Sequence, residues 1–199
     1  MKTKRVYIYV NGILTVPGES ENWTGKAVTW THLHTNDVAE KVEYWVGPIS
    51  RAFGRGQRKR AEKLAKTVHF YAISGYEIIL AGHSNGGSVI GDAIRLMPPG
   101  SWKAIKHVHL ISPASKEDFE VNGLNLLGAP VTVYIAGQDT PLALASGPGR
   151  LLGYGGLGKV GPVNAKVPTK VVTREEFGHG TWFESEYFDS TMWSIINLA

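Results

Sequence analysis

The segment of this chain best suited to chemistry is GHSNG, residues 82–86, which sets Ser84 between two glycines. A nearly continuous apolar run at 76–82 comes before it, and an amphipathic helical pattern follows. A sharp turn from a strand into a helix strains its central residue and projects that side chain above the sheet. Because such a turn brings residues 82 and 86 close together, both must lack a Cβ, and both are glycine. The segment therefore predicts a nucleophilic serine, with the positive end of the next helix aimed toward an oxyanion.

A serine hydroxyl is a weak nucleophile at neutral pH, so it needs a base, and the base needs a group that orients it. Among the seven histidines, His179 is the best candidate base, because it lies between two glycines just after the last predicted strand. Asp139 directly follows the predicted strand at 131–137 and is the candidate orienting carboxylate. Asp118, which lies beyond a different strand, is the reserve candidate. The carboxyl ends of parallel strands meet at one edge of a sheet, so the serine, Asp139 and His179 can converge there.

Several other histidines and aspartates are weaker candidates for a catalytic role. Four histidines are interpreted as packing, surface or structural residues: His69, His83, His107 and His109. Two aspartates in helical patterns are expected to face solvent: Asp92 and Asp189.

A second constellation, THLHTND, has His32 and His34 two residues apart, with Asp37 three residues further on. On a strand, residues i and i+2 share a face, so a metal site with two histidine ligands is conceivable. No matching cluster of further histidine or acidic ligands is visible, so no metal is predicted. The alternatives are that these histidines line the rim of the serine site or are ordinary polar residues at a strand end.

Strands and helices alternate along the predicted chain. The predicted strands are 5–10, 27–33, 76–82, 107–112, 131–137 and 169–173. The predicted helices run from Asn36 or Asp37 to Val46, over about 57–74, from the serine to Pro98-Pro99, and over about 184–197. Strands without polar alternation indicate a parallel sheet covered on both faces. The sequence therefore predicts one α/β domain over 1–199, a three-layer αβα sandwich with a mostly parallel sheet of about six strands.

The chain order Ser84, Asp139, His179, with each residue near the end of a predicted strand, resembles that of the α/β-hydrolase superfamily. The chain looks most like the small lipases and esterases of that superfamily that have no cap domain. The resemblance covers most of the chain and implies a minimal α/β-hydrolase fold without the superfamily's first two strands. It also implies a serine hydrolase that cleaves carboxylic esters through an acyl-enzyme, with a Ser-His-Asp triad and no cofactor.

The same resemblance points to an oxyanion hole. In the superfamily, the loop after the strand that matches 5–10 supplies a backbone amide, commonly within a His-Gly-x sequence. This chain has Asn11-Gly12-Ile13 there, so asparagine replaces the histidine. The resemblance implies the Ile13 and Asn85 N–H groups as the two donors, although Asn-Gly alone is also a common plain turn. Candidate substrate contacts are Asn11, Gly12, His83 and Trp182. Trp182 and Phe183 could wall an acyl pocket or equally be the first core contacts of the last helix.

Other functions remain open on the same residues. Triad geometry does not choose the leaving group, so thioesterase and amidase reactions are alternatives to ester cleavage. A further alternative is a non-catalytic binding protein of α/β-hydrolase fold that uses the basic stretch 51–66 as its interface. The net charge of +4 is concentrated there, but the apolar residues within it follow helical spacing. This favours the solvated face of an amphipathic helix over a nucleic-acid site. A small-molecule ester is the expected partner, and no oligomeric state is predicted.

Composition narrows the class of protein. Apolar residues make up 43% of the chain and charged residues 19%, as in soluble globular proteins. No window approaches the roughly 18 uninterrupted apolar residues of a membrane span. Asn11 and Gly12 interrupt the short apolar run near the N-terminus, so a first strand is expected rather than a signal peptide. Cysteine is absent, which excludes a disulfide framework, and a cytoplasmic location is the expectation.

The glycine-rich segment 141–167 breaks the alternating pattern. It carries seven glycines from Gly147 to Gly161, with several leucines among them. A loop of this length is uncommon in a compact domain and is often functional. We predict a movable flap over the serine site, whose leucines could contact acyl chains or make transient contact with a lipid surface.

Overall fold

The computed structural model describes residues 4–12, 22–43, 55–146 and 155–197. The strands are β1 Arg5–Val10, β2 Val38–Val42, β3 Glu77–His83, β4 Ile105–Ile111, β5 Val131–Ala136 and β6 Thr169–Arg174. The helices are α1 Trp23–His34, α2 Arg55–Ile73, α3 Asn85–Leu96, α4 Pro99–Trp102, α5 Phe119–Asn122, α6 Thr140–Ser146, α7 Leu157–Val160 and α8 Ser185–Asn197. Short 3-10 turns cover Leu124–Leu126 and Thr181–Phe183. The six strands form one sheet in the order β2-β1-β3-β4-β5-β6, and every neighbouring pair is parallel.

The two faces of the sheet contribute to two separate cores. Successive residues of β1 illustrate the division, because Ile8 belongs to the core under α2 and α3, whereas Tyr9 belongs to the core under α1 and α8. Both side chains are fully buried, and such burial stabilises the fold by roughly 1.5–3 kcal/mol per large apolar side chain. Burial on both faces explains why the central strands lack polar alternation. The predicted three-layer α/β sandwich with a parallel sheet is therefore confirmed.

The strand predicted at 27–33 is wrong, because these residues belong to α1. Asn22 caps this helix, and its side-chain oxygen accepts a hydrogen bond from the Thr24 N–H at 3.3 Å. Ala27 and Trp30 are three residues apart and both pack into the core beside Tyr9. This spacing is the apolar stripe of a helix, although the short segment also matches an alternating strand pattern.

The helix predicted from Asn36 or Asp37 to Val46 is also wrong, because residues 38–42 form the edge strand β2. Ala39, Glu40 and Lys41 favour a helix in isolation. All five residues of β2 nevertheless pair in register with Val6–Val10 of β1, and this tertiary pairing overrides the local preference. The number of strands stays at six, since one predicted strand is lost and one is gained.

The long basic helix is confirmed as α2. Its apolar residues face the first core as their spacing predicted, and they are Ala61, Leu64, Ala65 and Val68. Its lysines at 59, 63 and 66 are exposed, as the amphipathic interpretation requires. Residues 51–54 of the basic stretch lie outside the described residues. None of the helices in the described ranges has the length and apolar character needed to cross a membrane.

The described parts of the glycine-rich segment are 141–146 and 155–167, and the movable flap stays a prediction. Residues 147–154 lie outside the described residues. On either side of them, Leu142 and Leu157 are buried, so neither presents an apolar side chain at the surface. The Gly158 N–H donates to the Pro113 carbonyl at 2.9 Å, and a Cβ at Gly158 would lie 2.7 Å from the Pro113 nitrogen. The residues around α7 are therefore packed closely against the loop that follows β4.

Candidate active site

Ser84 forms the predicted turn between β3 and α3. Its φ of 54° and ψ of −121° fall in a region that residues with a side chain rarely adopt. Main-chain hydrogen bonds on both sides hold it there, from the Ser84 N–H to the Ile111 carbonyl at 2.9 Å and from the Ala114 N–H to the Ser84 carbonyl at 3.0 Å. The strained backbone is thus fixed by the neighbouring strand β4 and its loop.

The glycines around Ser84 are sterically required. A Cβ at Gly82 would lie 2.9 Å from the carbonyl carbon of Gly86, and a Cβ at Gly86 would lie 2.4 Å from the Val10 carbonyl oxygen. Both clashes are with backbone atoms, which cannot rotate away. A Cβ at Gly12 would lie 3.0 Å from the Ser84 Cβ and 3.5 Å from its Oγ. The Asn11-Gly12 segment therefore passes directly beside the serine, as the comparison with an oxyanion loop requires.

His179 is oriented by Asp139, the first-choice carboxylate of the sequence. The His179 Nδ1–H donates to Asp139 Oδ2 at 2.7 Å, and Asp139 is completely buried. Its other oxygen, Oδ1, accepts from the Leu142 N–H at 2.9 Å, so the first turn of α6 holds the carboxylate in place. With the hydrogen on Nδ1, the neutral imidazole keeps Nε2 as its basic atom. The pair thus has the geometry of an oriented general base.

His83 joins this base to the serine turn. The His83 Nε2–H donates to the backbone carbonyl of His179 at 3.0 Å, and the two ring centroids are 4.7 Å apart. Since His83 precedes Ser84 in the chain, this bond brings the His179 loop next to the serine. Loss of hydration, with a smaller effect from the charge of His179, lowers the pKa of His83 to about 3. His83 therefore contacts the protein itself, which agrees with its interpretation as a packing residue more than with its candidacy as a substrate contact.

The start of α3 supplies the described half of the candidate oxyanion hole. Asn85 is the first residue of α3, where backbone N–H groups have no partner within the helix. Its buried side chain donates to Gln57 Oε1 at 3.2 Å, and Gln57 Nε2 donates to Asp92 Oδ2 at 3.0 Å. This chain of side chains ties the start of α3 to α2. Ile13, the other candidate donor, lies outside the described residues.

The reserve and solvent-facing aspartates have structural roles. Asp118 caps α5, with Oδ1 accepting from the Glu120 N–H at 2.8 Å and Oδ2 accepting from Asn164 at 3.0 Å. These hydrogen bonds lower the pKa of Asp118. Asp189 accepts from the Trp30 indole N–H at 2.9 Å. Asp92, which was expected to face solvent, is instead half-buried and accepts from Gln57. The carboxylate bonded to His179 is that of Asp139.

The two-histidine metal hypothesis fails on geometry. His32 and His34 lie on α1, where residues two apart point in different directions. His32 Nε2 accepts from the Ala39 N–H at 3.3 Å, and His34 Nδ1–H donates to the Trp30 carbonyl at 2.8 Å. Their end of α1 leads into the start of β2, at the edge of the sheet opposite Ser84, so they do not line its rim. Within the described ranges, no group of three or more histidine or acidic side chains could hold a metal ion.

The remaining candidates are interior residues. Trp182 is buried against Phe177 and Tyr134, at centroid distances of 4.8 and 5.4 Å, so the core alternative describes it better than a substrate contact. His107 and His109 stack 4.3 Å apart on β4 and bond to side chains of β5, as structural residues would. Burial lowers the pKa of both, that of His107 to about 4.

Sequence reasoning missed two contributors to the site, Gln57 and Trp23, and it named Phe183 without its partner. Gln57 holds Asn85, and an aromatic pair of Trp23 and Phe183, stacked 4.4 Å apart, lines the surroundings of His83. Each is distant in sequence from the residue it contacts. The available signal was a glutamine within the basic helix for Gln57 and a single aromatic residue for Trp23, which is too general to assign a role.

The comparisons with known proteins identify the class of fold. No family model matches the sequence. No curated protein matches it either. Among solved structures, a protein of the α/β hydrolase superfamily from Xanthomonas campestris pv. campestris has 15% identity and a TM-score of 0.62, with 98% of each chain covered. The chain therefore has an α/β-hydrolase fold, as its motifs predicted.

Two solved esterases are similar in the same way. The thermostable carboxylesterase EstE1, cloned from a metagenomic library, has 16% identity and a TM-score of 0.62, with 98% of this chain and 79% of EstE1 covered. A hyperthermophilic esterase from the archaeon Pyrobaculum calidifontis has 16% identity and a TM-score of 0.59, with 100% of this chain and 78% of that chain covered. At such identities the likeness concerns the fold, and the reaction must be argued from the residues themselves.

Proposed function

We propose that this chain is a serine hydrolase that cleaves carboxylic esters through an acyl-enzyme intermediate. The observation that carries the proposal is the buried Asp139 carboxylate bonded to His179 Nδ1, with the His179 carbonyl bonded to His83, the residue that precedes a serine in a strained turn. A half-buried histidine that a buried carboxylate orients, near a serine at the carboxyl edge of a parallel sheet, has the parts of a general base and its nucleophile.

In the proposed reaction, His179 Nε2 takes the Ser84 proton while Oγ attacks the ester carbonyl carbon. Asp139 holds Nδ1–H and stabilises the imidazolium that forms. The oxyanion accepts hydrogen bonds from the Asn85 N–H and, in the proposal, the Ile13 N–H. One such donor contributes about 3 kcal/mol in related chemistry. His179 then protonates the departing alcohol, and water attacks the acyl-enzyme to release the acid and free Ser84.

Ester cleavage is proposed over the other acyl transfers because esterases are among the proteins with this fold. The proposed partner is a small ester, and the route needs no metal or cofactor. A transient lipid-surface contact through the glycine-rich segment stays a prediction, since Leu142 and Leu157 are buried but residues 147–154 lie outside the described residues. Nucleic acid is not proposed as a partner, because the lysines of α2 form the exposed face of an amphipathic helix.

Turnover of p-nitrophenyl esters tests the proposal. Wild-type protein should hydrolyse p-nitrophenyl acetate and butyrate, and Ser84→Ala should reduce kcat by about 10³-fold or more. Ser88→Ala is the matched control, since Ser88 lies one turn further along α3. Equal rates for wild type and Ser84→Ala would contradict the proposal. A series of acyl-chain lengths, with thioester and amide analogues, would then assign the leaving group.

A further inference from the structure

We infer that His83 is a positioning residue, which fixes the main chain of the His179 loop to the turn that carries Ser84. The inference rests on the proposed hydrolase function and extends it to a residue beside the triad. His83 does not contact the reacting atoms in this role, because its bond goes to a backbone carbonyl.

The His179 loop needs such a fixed point. His179 lies between Gly178 and Gly180, whose wide backbone freedom makes the segment costly to order. The Asp139 bond fixes the imidazole, but it acts on the side chain and leaves the peptide free to rotate about it. The His83 bond acts on the peptide itself, at the carbonyl of His179, with a donor–acceptor distance of 3.0 Å. Together the two bonds fix both the ring and the backbone of the proposed base.

The bond also connects the two halves of the proposed reaction centre. His83 and His179 are 96 positions apart in the chain, whereas His83 and Ser84 are joined by one peptide bond. Any movement of the His179 loop away from the serine must therefore break this hydrogen bond or move the turn. The turn cannot follow easily, because Gly82 and Gly86 already lie against backbone atoms.

The surroundings of His83 suit a neutral ring donor. Its imidazole lies edge-on to Phe183 at 5.1 Å and to Trp23 at 6.3 Å between centroids, beside the stacked pair that these two residues form. His179 and Asp139 are the titratable groups that act on it. A pKa of about 3 keeps His83 neutral while His179 gains and loses its proton. His83 therefore adds a donor without adding a second positive charge beside the imidazolium.

Two substitutions separate the hydrogen bond from the packing. His83→Phe keeps a ring and removes the donor, whereas His83→Gln keeps an N–H donor near the position of Nε2 and loses the ring. His69→Phe is the matched control, because His69 bonds to Ser101 and lies outside the site. Each variant is measured for kcat and KM with p-nitrophenyl butyrate, for its melting temperature, and for amide hydrogen exchange over 177–183.

We expect His83→Phe to lower kcat by about 30-fold with KM within about 2-fold of wild type, since small misplacements of catalytic groups cost up to about 100-fold. His83→Gln should recover about half of the loss on a logarithmic scale, and His69→Phe should match wild type. A raised KM with unchanged kcat would make His83 a substrate contact and overturn the inference. Equal loss in His83→Phe and His83→Gln, in step with melting temperature, would leave it only a packing role and also overturn it.

Hydrogen exchange keeps this test separate from the test of the proposed function. If the wild type has no esterase activity, the proposed function fails, but hydrogen exchange still reports on the hydrogen bond from His83 to the His179 carbonyl. Faster exchange over 177–183 in His83→Phe than in His83→Gln supports the positioning role. Unchanged exchange in His83→Phe contradicts it, whatever the activity of the wild type.

Discussion

Two glycine-flanked segments meet at the candidate active site, and they are held in different ways. Around Ser84, the glycines are packed against backbone atoms, and a Cβ at Gly86 would lie 2.4 Å from a carbonyl oxygen. Around His179, a Cβ at Gly180 would meet nothing within 4 Å, and one at Gly178 would meet only Thr181 Oγ1 at 3.6 Å. The serine turn is therefore fixed by steric contact as well as by its main-chain hydrogen bonds, whereas the histidine loop is held by hydrogen bonds without close contact at its glycines.

The difference suits the two proposed roles. A nucleophile has to stay in one strained position above the sheet, which close packing of backbone atoms ensures. A general base has to keep its ring oriented while it accepts and releases a proton. The hydrogen bonds of His179 with Asp139 and His83 allow this. Glycine next to a functional residue therefore has two meanings in this molecule, and each can be tested by substitution.

The hydrogen bonds of the loop should give the largest effect. Asp139→Asn should lower kcat by about 10³- to 10⁴-fold, because an amide favours the wrong tautomer of His179. Ester hydrolysis rates and circular dichroism measure activity and fold together. Asp118→Asn is the control and should retain wild-type activity. Normal activity in a folded Asp139→Asn protein would remove Asp139 from the proposed triad.

Steric contact at the turn should give the next effect. Gly86→Ala should lower the free energy of unfolding by about 3 kcal/mol or prevent folding, because its Cβ would overlap the Val10 carbonyl oxygen. Urea denaturation measures the change. A stable and fully active Gly86→Ala protein would show that the turn has more space than its backbone contacts indicate.

Lowering the pH should reduce the free energy of unfolding by a smaller amount, through protonation of His83 in the unfolded chain. The pKa of His83 in the folded state, about 3, lies below its unfolded value, so the unfolded chain binds the proton first. The contribution of His83 to the free energy of unfolding is therefore fully present above about pH 6.5, and it is lost as the pH falls toward 3. Between pH 7 and pH 5, wild type should lose about 2 kcal/mol more than His83→Phe, measured by urea denaturation at each pH. Parallel losses in the two proteins would contradict the lowered pKa.

Substitution of Gly180 in the histidine loop should have the smallest effect on the free energy of unfolding. Gly180 has a φ of −103° and a ψ of −5°, which alanine can adopt. Gly180→Ala should therefore change the free energy of unfolding by less than about 1 kcal/mol, and it could stabilise the protein by restricting the unfolded chain. Urea denaturation beside Gly86→Ala gives the comparison directly. A large loss in Gly180→Ala would mean that the loop, too, is held by steric contact.

Local signals account for what the sequence could predict. The turn at 82–86 was predictable because its steric rule acts between residues four positions apart. Asp139 was predictable because it closely follows a strongly apolar strand. The exchange of strand and helix over 27–42 was not predictable, since β2 owes its conformation to pairing with β1. The bond from His83 to His179 was also hidden, because only the folded sheet brings the two residues together.

The central claim is that Ser84 is an activated nucleophile, and covalent labelling tests it most directly. A fluorophosphonate reacts with serines that a base has activated, and mass spectrometry locates the adduct. The account predicts one adduct, on Ser84, absent in Ser84→Ala and formed at least about 100-fold more slowly in Asp139→Asn. An unlabelled wild-type protein, or an adduct on another serine that persists in Ser84→Ala, would contradict it.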